Sequence, residues 1–152
     1  MNNNPSLKLR DAEGKREVFD PLRKKWVAYT PEEHIRQIFI LFLTHDKGVP
    51  PELIAVEQGF KSASGKEYRA DIIVYDRNGI PQLLVECKAA DVPITRQTVL
   101  QATRYNNIVK AGYVALTNGR QNFLFKTEDL TNYAAVNPFP EYSRWSVANF
   151  EP

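Results

Sequence analysis

The sequence has a single cysteine, Cys87, and only two histidines among its 152 residues. One thiol cannot form an internal disulfide, and two histidines without metal-type spacing do not indicate a zinc centre. No apolar run reaches the roughly 20 residues of a membrane-spanning helix, and the first residues lack the apolar stretch of a secretory signal. We therefore expect a protein of the reducing cytoplasm with no membrane association.

The net charge is small, at +2, and does not by itself indicate nucleic-acid binding. Basic residues are frequent in the first 25 positions, but acidic residues alternate with them, which favours a solvated surface of mixed charge over a phosphate-binding face. Two motifs are absent: G-x-S-x-G, the nucleophile elbow of serine hydrolases, and G-x-x-x-x-G-K-[ST], the phosphate loop of NTP-driven motors. We expect neither activity from these residues.

A length of 152 residues fits one domain. The informative patterns lie in residues 30–127, which we expect to form the core of that domain. Residues 1–29 would be an N-terminal extension packed on this core. Residues 128–152 are aromatic and proline-rich, and we expect them to form a C-terminal extension that covers the domain without regular structure.

The segment from Thr30 to Gly48 predicts the first helix, with Thr30 as its N-cap and Gly48 as its end. Pro31 suits the first helical position, and Glu33 suits the returning member of a capping box. The apolar stripe of this helix consists of Ile35, Ile38, Phe39 and Phe42. Helical projection places Glu32 at the edge of the stripe and Glu33 well away from it. Glu33 therefore has a local structural role, whereas Glu32 does not.

Three strands with antiparallel connections, a second helix and a further strand pair follow. The three strands are predicted at residues 53–60, 67–76 and 80–89. The second helix begins after Thr95 and ends before Gly112, and two more strands flank Asn118-Gly119. This order of elements is typical of an α/β domain built around one mixed sheet.

The dipeptide Asn78-Gly79, between two apolar runs, predicts a tight hairpin. If it forms a two-residue turn, the numbers of facing residues sum to 157, and Asp71 lies opposite Glu86 with Cβ atoms about 5 Å apart. Pro81 weakens this register, because proline cannot donate to the strand ladder. A three-residue loop with a bulge would shift the pairing by one residue and separate the two carboxylates.

The residues around Glu86 suggest chemistry at the end of a strand. Glu86 and Lys88 project from one face, whereas Cys87 projects from the other, where a buried core thiol is favoured. Two facing carboxylates destabilise a sheet, but a divalent cation between Asp71 and Glu86 reverses that effect. Lys88 could then hold a nucleophilic water or stabilise the charge that develops on a phosphate. The alternative is a structural ion-pair cluster in which Lys88 neutralises one carboxylate.

These residues resemble the PD-(D/E)xK nuclease superfamily, whose signature is matched by Asp71, fourteen further residues, and then Glu86-Cys87-Lys88. Ala70 stands where the superfamily name has proline. More narrowly, the segments PEEHIRQ, RADIIVYD and VECKA and a QxxxY pair resemble the N-terminal nuclease domain of type I restriction enzyme R subunits. The resemblance covers most of the chain and implies a restriction-endonuclease-like fold, with a mixed central sheet flanked by helices.

The resemblance also implies roles for individual residues. It assigns metal binding to three groups, namely the carboxylates of Asp71 and Glu86 and the main-chain carbonyl of Cys87. Lys88 takes the position of the catalytic lysine, and Glu32 that of the acidic residue of the first helix, where the adjoining Glu33 fits the alignment as well. Gln101 and Tyr105, four residues apart on one helix face, match an additional motif that supports the site and contacts DNA.

Together these features predict a Mg²⁺- or Mn²⁺-dependent endonuclease that hydrolyses phosphodiester bonds in DNA. It would be the cutting module of a restriction-modification system, with a motor or specificity protein on a separate chain and with a homodimer as one means of cutting both strands. The alternative is a catalytically inactive module that keeps the nuclease fold in order to bind nucleic acid or a protein partner.

Overall fold

The computed structural model describes residues 6–145, which form nine strands and two α-helices. In chain order these elements are β1 (Leu9–Ala12), β2 (Lys15–Asp20), β3 (Lys25–Ala28), α1 (Pro31–Leu41), β4 (Ile54–Lys61), β5 (Glu67–Tyr75), β6 (Pro81–Cys87), α2 (Arg96–Val109), β7 (Tyr113–Thr117), β8 (Asn122–Thr127) and β9 (Tyr133–Ala135). A π-helical turn, Phe42–Asp46, extends α1, and 3-10 turns occupy Pro51–Leu53 and Tyr142–Arg144. None of the helices in residues 6–145 has the length and apolarity needed to cross a membrane.

The strands form two separate sheets. β1, β2 and β3 make a small antiparallel sheet, and the other six strands make a mixed sheet in the order β4-β5-β6-β7-β8-β9. β6 and β7 run parallel, whereas the remaining neighbours in the mixed sheet are antiparallel. α2 supplies the crossover that a parallel pair requires. The predicted α/β fold around one mixed sheet is confirmed, and the small sheet was not predicted.

Apolar side chains fill both faces of the mixed sheet. α1 covers one face with Ile35 and Phe39, and α2 covers the other with Ala102 and Val109. Central residues of β5 and β6 alternate between these faces: Ile72, Val74, Leu83 and Val85 pack on the α1 side, and Ile73 and Leu84 on the α2 side. These two strands are therefore buried on both faces and form a fixed base for the polar side chains along them.

The N-terminus of α1 follows the prediction in part. The Thr30 hydroxyl accepts the backbone N–H of Glu33 at 3.0 Å, and Pro31 is the first helical residue. The predicted return bond of a capping box is wrong, because the Glu33 carboxylate is buried and accepts instead from Arg23 and Arg36, each at 2.7 Å. Glu33 does have a structural role, but it acts through ion pairs.

The apolar stripe of α1 also differs from the predicted one. Ile38 is 40% exposed, whereas Ile40 and Leu43 are buried in the core. Ile35 and Phe39 lie in the core and Phe42 packs against it, as predicted, and the buried face continues into the π-helical turn that carries Leu43. Gly48, with φ of +75°, follows that turn and ends the helical segment as expected.

The hairpin between β5 and β6 is not the predicted two-residue turn. The N–H of Asp76 donates to the carbonyl of Ile80 at 2.8 Å, which leaves a loop of three residues, 77–79. Tyr75 consequently faces Pro81, whereas the predicted register would pair it with Gln82. The next pair is Val74 and Leu83, so Gln82 has no partner on β5 and forms a β-bulge. The bulge restores the original register, so that Ile72 faces Val85 as the sum of 157 requires. The turn prediction is wrong, but the register next to Asp71 is as predicted.

The C-terminal segment contains regular structure that the sequence analysis did not expect. β9 pairs with β8 as the edge strand of the mixed sheet, so the prediction of an irregular tail is wrong for these residues. Phe139, Tyr142 and Trp145 then pack over the α1 side of the core, as a covering extension would. The proposed boundaries at residues 29 and 127 stay predictions, and residues 146–152 of this extension lie outside the described part.

Candidate functional site

A polar depression of about 300 Å³ lies between α1, α2 and the ends of β5 and β6. Its lining includes all seven residues selected from the sequence, namely Glu32, Asp71, Glu86, Cys87, Lys88, Gln101 and Tyr105. A larger depression of about 470 Å³ lies between α1 and β8, but its lining is mostly apolar and contains no titratable side chain. A third, shallower depression of about 610 Å³ is lined by the ion-pair cluster of Arg23, Glu33, Arg36 and Glu57 and shares Glu32 with the first. The residues selected from the sequence are thus collected in the depression of about 300 Å³.

Asp71 is fixed by bonds to both of its carboxylate oxygens. Oδ2 accepts the backbone N–H of Cys87 on β6 at 2.8 Å, and Oδ1 accepts Nη2 of Arg36 on α1 at 2.7 Å. The side chain is 11% exposed. The first bond ties Asp71 to the strand that carries Glu86, and the second places a guanidinium charge next to the carboxylate.

Glu86 meets Asp71 within the depression, as the hairpin register predicted. Burial, followed by the charge of Asp71, raises the pKa of Glu86 to about 8. Both influences favour the neutral form of the Glu86 carboxyl in the ion-free protein. The Tyr68 hydroxyl donates to the Oε1 atom of Glu86. Burial, followed by the charge of Glu86, raises the pKa of Tyr68, so this hydroxyl stays protonated as a donor.

Lys88 follows β6, and its backbone N–H donates to the Thr117 carbonyl at 2.9 Å. Within residues 6–145 no carboxylate lies within 4 Å of its ammonium group, and its charge only partly offsets the burial and the Asp71 charge that raise the pKa values of Glu32 and Glu86. The structural alternative, in which Lys88 neutralises one of the facing carboxylates through an ion pair, is therefore not what the structure contains. Arg36 makes that ion pair.

Glu32 and Glu33 occupy different environments. The Glu32 side chain is 50% exposed at the rim of the depression, 3.7 Å from Nη2 of Arg36. Burial, followed by the charge of Asp71, raises the pKa of Glu32. Glu33 lies within the ion-pair network with Arg36. Of the two, Glu32 faces the depression, as helical projection selected, and its functional role stays a prediction.

The sequence analysis missed Arg36, which contacts four acidic residues. It bonds Glu33 and Asp71 at 2.7 Å, and Glu57 and Glu32 lie 3.5 and 3.7 Å from it. Burial alone would lower the pKa of Arg36, but the hydrogen bond and charge of Asp71 outweigh burial and raise it. Its spacing of three and four residues from the two helix acids was a signal that could have placed it beside them.

Glu57 had no such signal. It has φ of +54° in the middle of β4, and the pairing of β4 with β5 skips it, since Val56 faces Ile72 and Gln58 faces Ala70. The irregularity lies directly across from Asp71. Strained backbone of this kind occurs often at functional sites.

The Gln101–Tyr105 pair reaches the site through Tyr68. Nε2 of Gln101 donates to the Tyr105 hydroxyl at 3.0 Å, as expected for residues four apart on a helix. The Tyr105 ring stacks on the Tyr68 ring with a centroid distance of 3.8 Å and an interplanar angle of 12°. Tyr68, the second residue that the sequence analysis missed, thus connects α2 to Glu86.

The oxygen donors in the depression suit a divalent cation that keeps some of its waters. Within residues 6–145 no three His, Cys, Asp or Glu side chains are grouped closely enough to form a complete protein cage. Mg²⁺ does not need one, because it usually binds one or two carboxylates together with waters and substrate phosphate oxygens. Two facing carboxyl groups, each with lone pairs beyond those already used, fit that requirement. The Cys87 thiol is 1% exposed, and burial raises its pKa, so only its main-chain carbonyl is a candidate ligand.

Comparison with solved structures identifies the class of fold. The chain resembles a fragment described as an HsdR subunit of a type I restriction enzyme from Vibrio vulnificus YJ016, with a TM-score of 0.57 and 20% identity. The match covers 75% of this chain and 24% of that one, so this chain spans about a quarter of the related chain's length. At this identity the likeness shows the fold alone.

The family is shown by the sequence match. Residues 31–140 match the family described as type I restriction enzyme R protein N terminus, and the chain belongs to that family. None of the curated proteins compared with the chain matches it. Family and fold thus agree with the resemblance drawn from the hairpin and the helix motifs.

Proposed function

We propose that this chain is a Mg²⁺- or Mn²⁺-dependent endonuclease module that hydrolyses phosphodiester bonds in DNA. The observation that carries the proposal is that the Asp71 and Glu86 carboxyl groups line one depression together with Lys88, beside the register pair Ile72 and Val85. Membership of the R protein N-terminus family supports a restriction-type nuclease, and the PD-(D/E)xK signature supports the metal dependence.

In this proposal Asp71 and Glu86 hold the cation, with the Cys87 carbonyl as a further ligand. A bound divalent cation would lower the pKa of a coordinated water and neutralise charge on the scissile phosphate. Lys88 stabilises the negative charge that develops on the phosphate, and the absence of a carboxylate within 4 Å among residues 6–145 leaves its ammonium group available for that contact. Glu32, at the rim, orients the attacking water.

The surroundings of the depression suit a phosphate backbone. Arg69 is exposed at its edge, and two smaller depressions continue along α2, one lined by Lys66 and Arg104 and the other by Thr95 and Arg104. Cations and hydroxyls of this kind contact phosphates without reading sequence. DNA would therefore lie along α2, with Gln101 and Tyr105 beneath it, and target choice would come from another protein.

Partners follow from the same proposal. Type I R subunits act with other subunits, so a motor and a specificity protein would supply translocation and target choice. A homodimer of the cutting module would place one site on each DNA strand. Both assemblies can be tested by sedimentation of the purified chain with and without DNA.

The test is cleavage of duplex, single-stranded and branched DNA by the purified chain with Mg²⁺ or Mn²⁺. Cleavage is expected for the wild type and should be lost in Asp71→Asn and Lys88→Ala. The matched controls are Asp46→Asn and Lys25→Ala, which change exposed residues of the same types away from the depression. Failure of the wild type on all three substrates with both metals, or persistent cleavage by Asp71→Asn, would overturn the proposal.

A second function is favoured by one specific observation. Arg36 already neutralises Asp71, so the acidic pair is stable without a cation, and the fold could serve as an inactive module that binds nucleic acid or a protein partner. Calorimetric titration with Mn²⁺ separates the two functions. An absence of binding together with salt-sensitive association with DNA would identify the binding module.

A further inference from the structure

Tyr68 lies at the start of β5, three residues before Asp71. Strict alternation along a strand would place residues three apart on opposite faces. Tyr68 and Ala70 nevertheless pack with the same α2-side cluster as Ile73, so the alternation is interrupted next to Asp71. The interruption coincides with the left-handed residue Glu57 on the neighbouring strand. It brings the Tyr68 hydroxyl to the depression and allows it to reach Glu86.

The Tyr68 ring is held from two directions. One face stacks on Tyr105 of α2, and the Phe60 ring lies 6.3 Å away at an interplanar angle of 28°. The ring is 9% exposed. Tyr105 is in turn bonded by Gln101. A ring packed in this way has little freedom to rotate, so its hydroxyl can hold a bonded carboxylate in one orientation.

We propose that Tyr68 is a positioning residue for the metal site. By donating to Oε1 of Glu86 it fixes that carboxylate so that Oε2 is presented to the cation, and the Gln101–Tyr105 pair supports Tyr68 through the ring stack. This inference rests on the proposed function, because it concerns the orientation of one ligand of the proposed cation. Loss of a hydrogen bond that orients a metal ligand typically weakens metal binding 10- to 100-fold.

The chain offers a matched control in Tyr75, which lies on the same strand. Its hydroxyl also donates to a side-chain oxygen, that of Gln58 at 2.5 Å, but it does not line the depression. Tyr68→Phe and Tyr75→Phe therefore remove the same atom from the same strand. Calorimetric titration of both variants with Mn²⁺ should show at least tenfold weaker binding for Tyr68→Phe and binding within about twofold of wild type for Tyr75→Phe. Equal affinities in the wild type and Tyr68→Phe would overturn the inference.

The ring stack gives a second test that does not depend on Tyr68→Phe. Tyr105→Phe keeps the stacked ring and loses only the bond to Gln101, so its Mn²⁺ affinity should stay close to that of the wild type. Tyr105→Leu removes the stack and should weaken Mn²⁺ binding. Thermal unfolding without metal would show that both variants are folded. Equal affinities in the two Tyr105 variants would contradict the support assigned to α2.

Asp71→Asn distinguishes failure of this inference from failure of the proposed function. If the wild type binds no Mn²⁺, or if Asp71→Asn binds it as well as the wild type does, the proposed site is wrong and the role of Tyr68 is refuted with it. If the wild type binds Mn²⁺ through Asp71 while Tyr68→Phe is unaffected, only the role of Tyr68 is refuted.

Discussion

Replacing Arg36 by methionine tests how the protein tolerates its acidic site. Arg36 is buried and bonds Glu33 and Asp71, with Glu32 and Glu57 within 4 Å. Methionine is also long and unbranched, so Arg36→Met removes the charge with limited change in packing. The change leaves Asp71 and Glu32 without a guanidinium partner, whereas Glu33 and Glu57 keep their ion pairs with Arg23.

The expected loss of stability is large. Removing one partner of a buried ion pair costs about 3–5 kcal/mol, because the other charge stays buried without compensation. For a chain of this length, that corresponds to a decrease in the unfolding midpoint of roughly 6–20 °C. Urea unfolding without divalent cations, followed by tryptophan fluorescence, measures the free energy directly.

Arg77→Met is the control for Arg36→Met. Arg77 pairs with Glu52 at 3.2 Å, but both side chains are more than half exposed, and a surface pair of this kind contributes about 0–1 kcal/mol. The two variants make the same chemical change in opposite environments. If Arg36→Met loses no more stability than Arg77→Met, the buried guanidinium does not stabilise the acidic cluster and the explanation for the proximity of Asp71 and Glu86 is refuted.

Two further predictions concern other parts of the fold. Asp20 is buried, and burial acts to raise its pKa, but hydrogen bonds from the Arg23 side chain and from backbone N–H groups outweigh burial and lower it. The charged Asp20 carboxylate therefore stabilises the fold fully above the unfolded-state pKa. This stabilisation is lost as the pH falls through the folded-state pKa. Asp20→Asn should be less stable than the wild type by about 3 kcal/mol at neutral pH. The gap in urea midpoint should narrow as the pH falls below the ordinary pKa of an aspartate, and an unchanged gap would contradict this. Gly119→Ala should lose about 1 kcal/mol more than Gly65→Ala in the same assay, at the low end for overpacking because the contacted atom is the end of a side chain that can turn aside. Both glycines have φ near +85°, but only at Gly119 would a new Cβ meet another side chain, 2.8 Å from Cδ1 of Ile35, so equal losses would refute the contact.

The sequence was sufficient to predict the order of elements in the core and the identity of the residues that share the depression. Strand alternation, helix caps and the hairpin signal are local properties, and local properties place Asp71 opposite Glu86. The predicted register of β5 and β6 was nevertheless right only because two deviations from the predicted hairpin cancel. The turn contains one residue more than predicted, and the bulge at Gln82 removes the resulting shift. A bulge has no strong sequence signal, because either strand register leaves the apolar runs of β5 and β6 buried.

The residues that the sequence could not supply are those whose positions depend on tertiary structure. Tyr68 reaches Glu86 only because the alternation of β5 is interrupted beside Glu57. Arg36 could have been placed beside the acids of its own helix, but its bond to Asp71 joins residues 35 positions apart. Both residues are polar groups inside the fold whose partners come from other elements.

Arg36 and Tyr68 give a different explanation for why Asp71 and Glu86 can lie close together. The sequence argument treated a divalent cation as the reason that two carboxylates can lie together. In the ion-free protein, however, Arg36 bonds Asp71, Tyr68 bonds Glu86, and burial and the charge of Asp71 raise the pKa of Glu86. Proximity alone therefore does not require a cation, and Mn²⁺ binding is what separates the proposed nuclease from the inactive module. Because a metal ligand must be deprotonated, Mn²⁺ binding to the active protein at pH 7 should release a proton, and the heat of binding should vary with the ionisation enthalpy of the buffer.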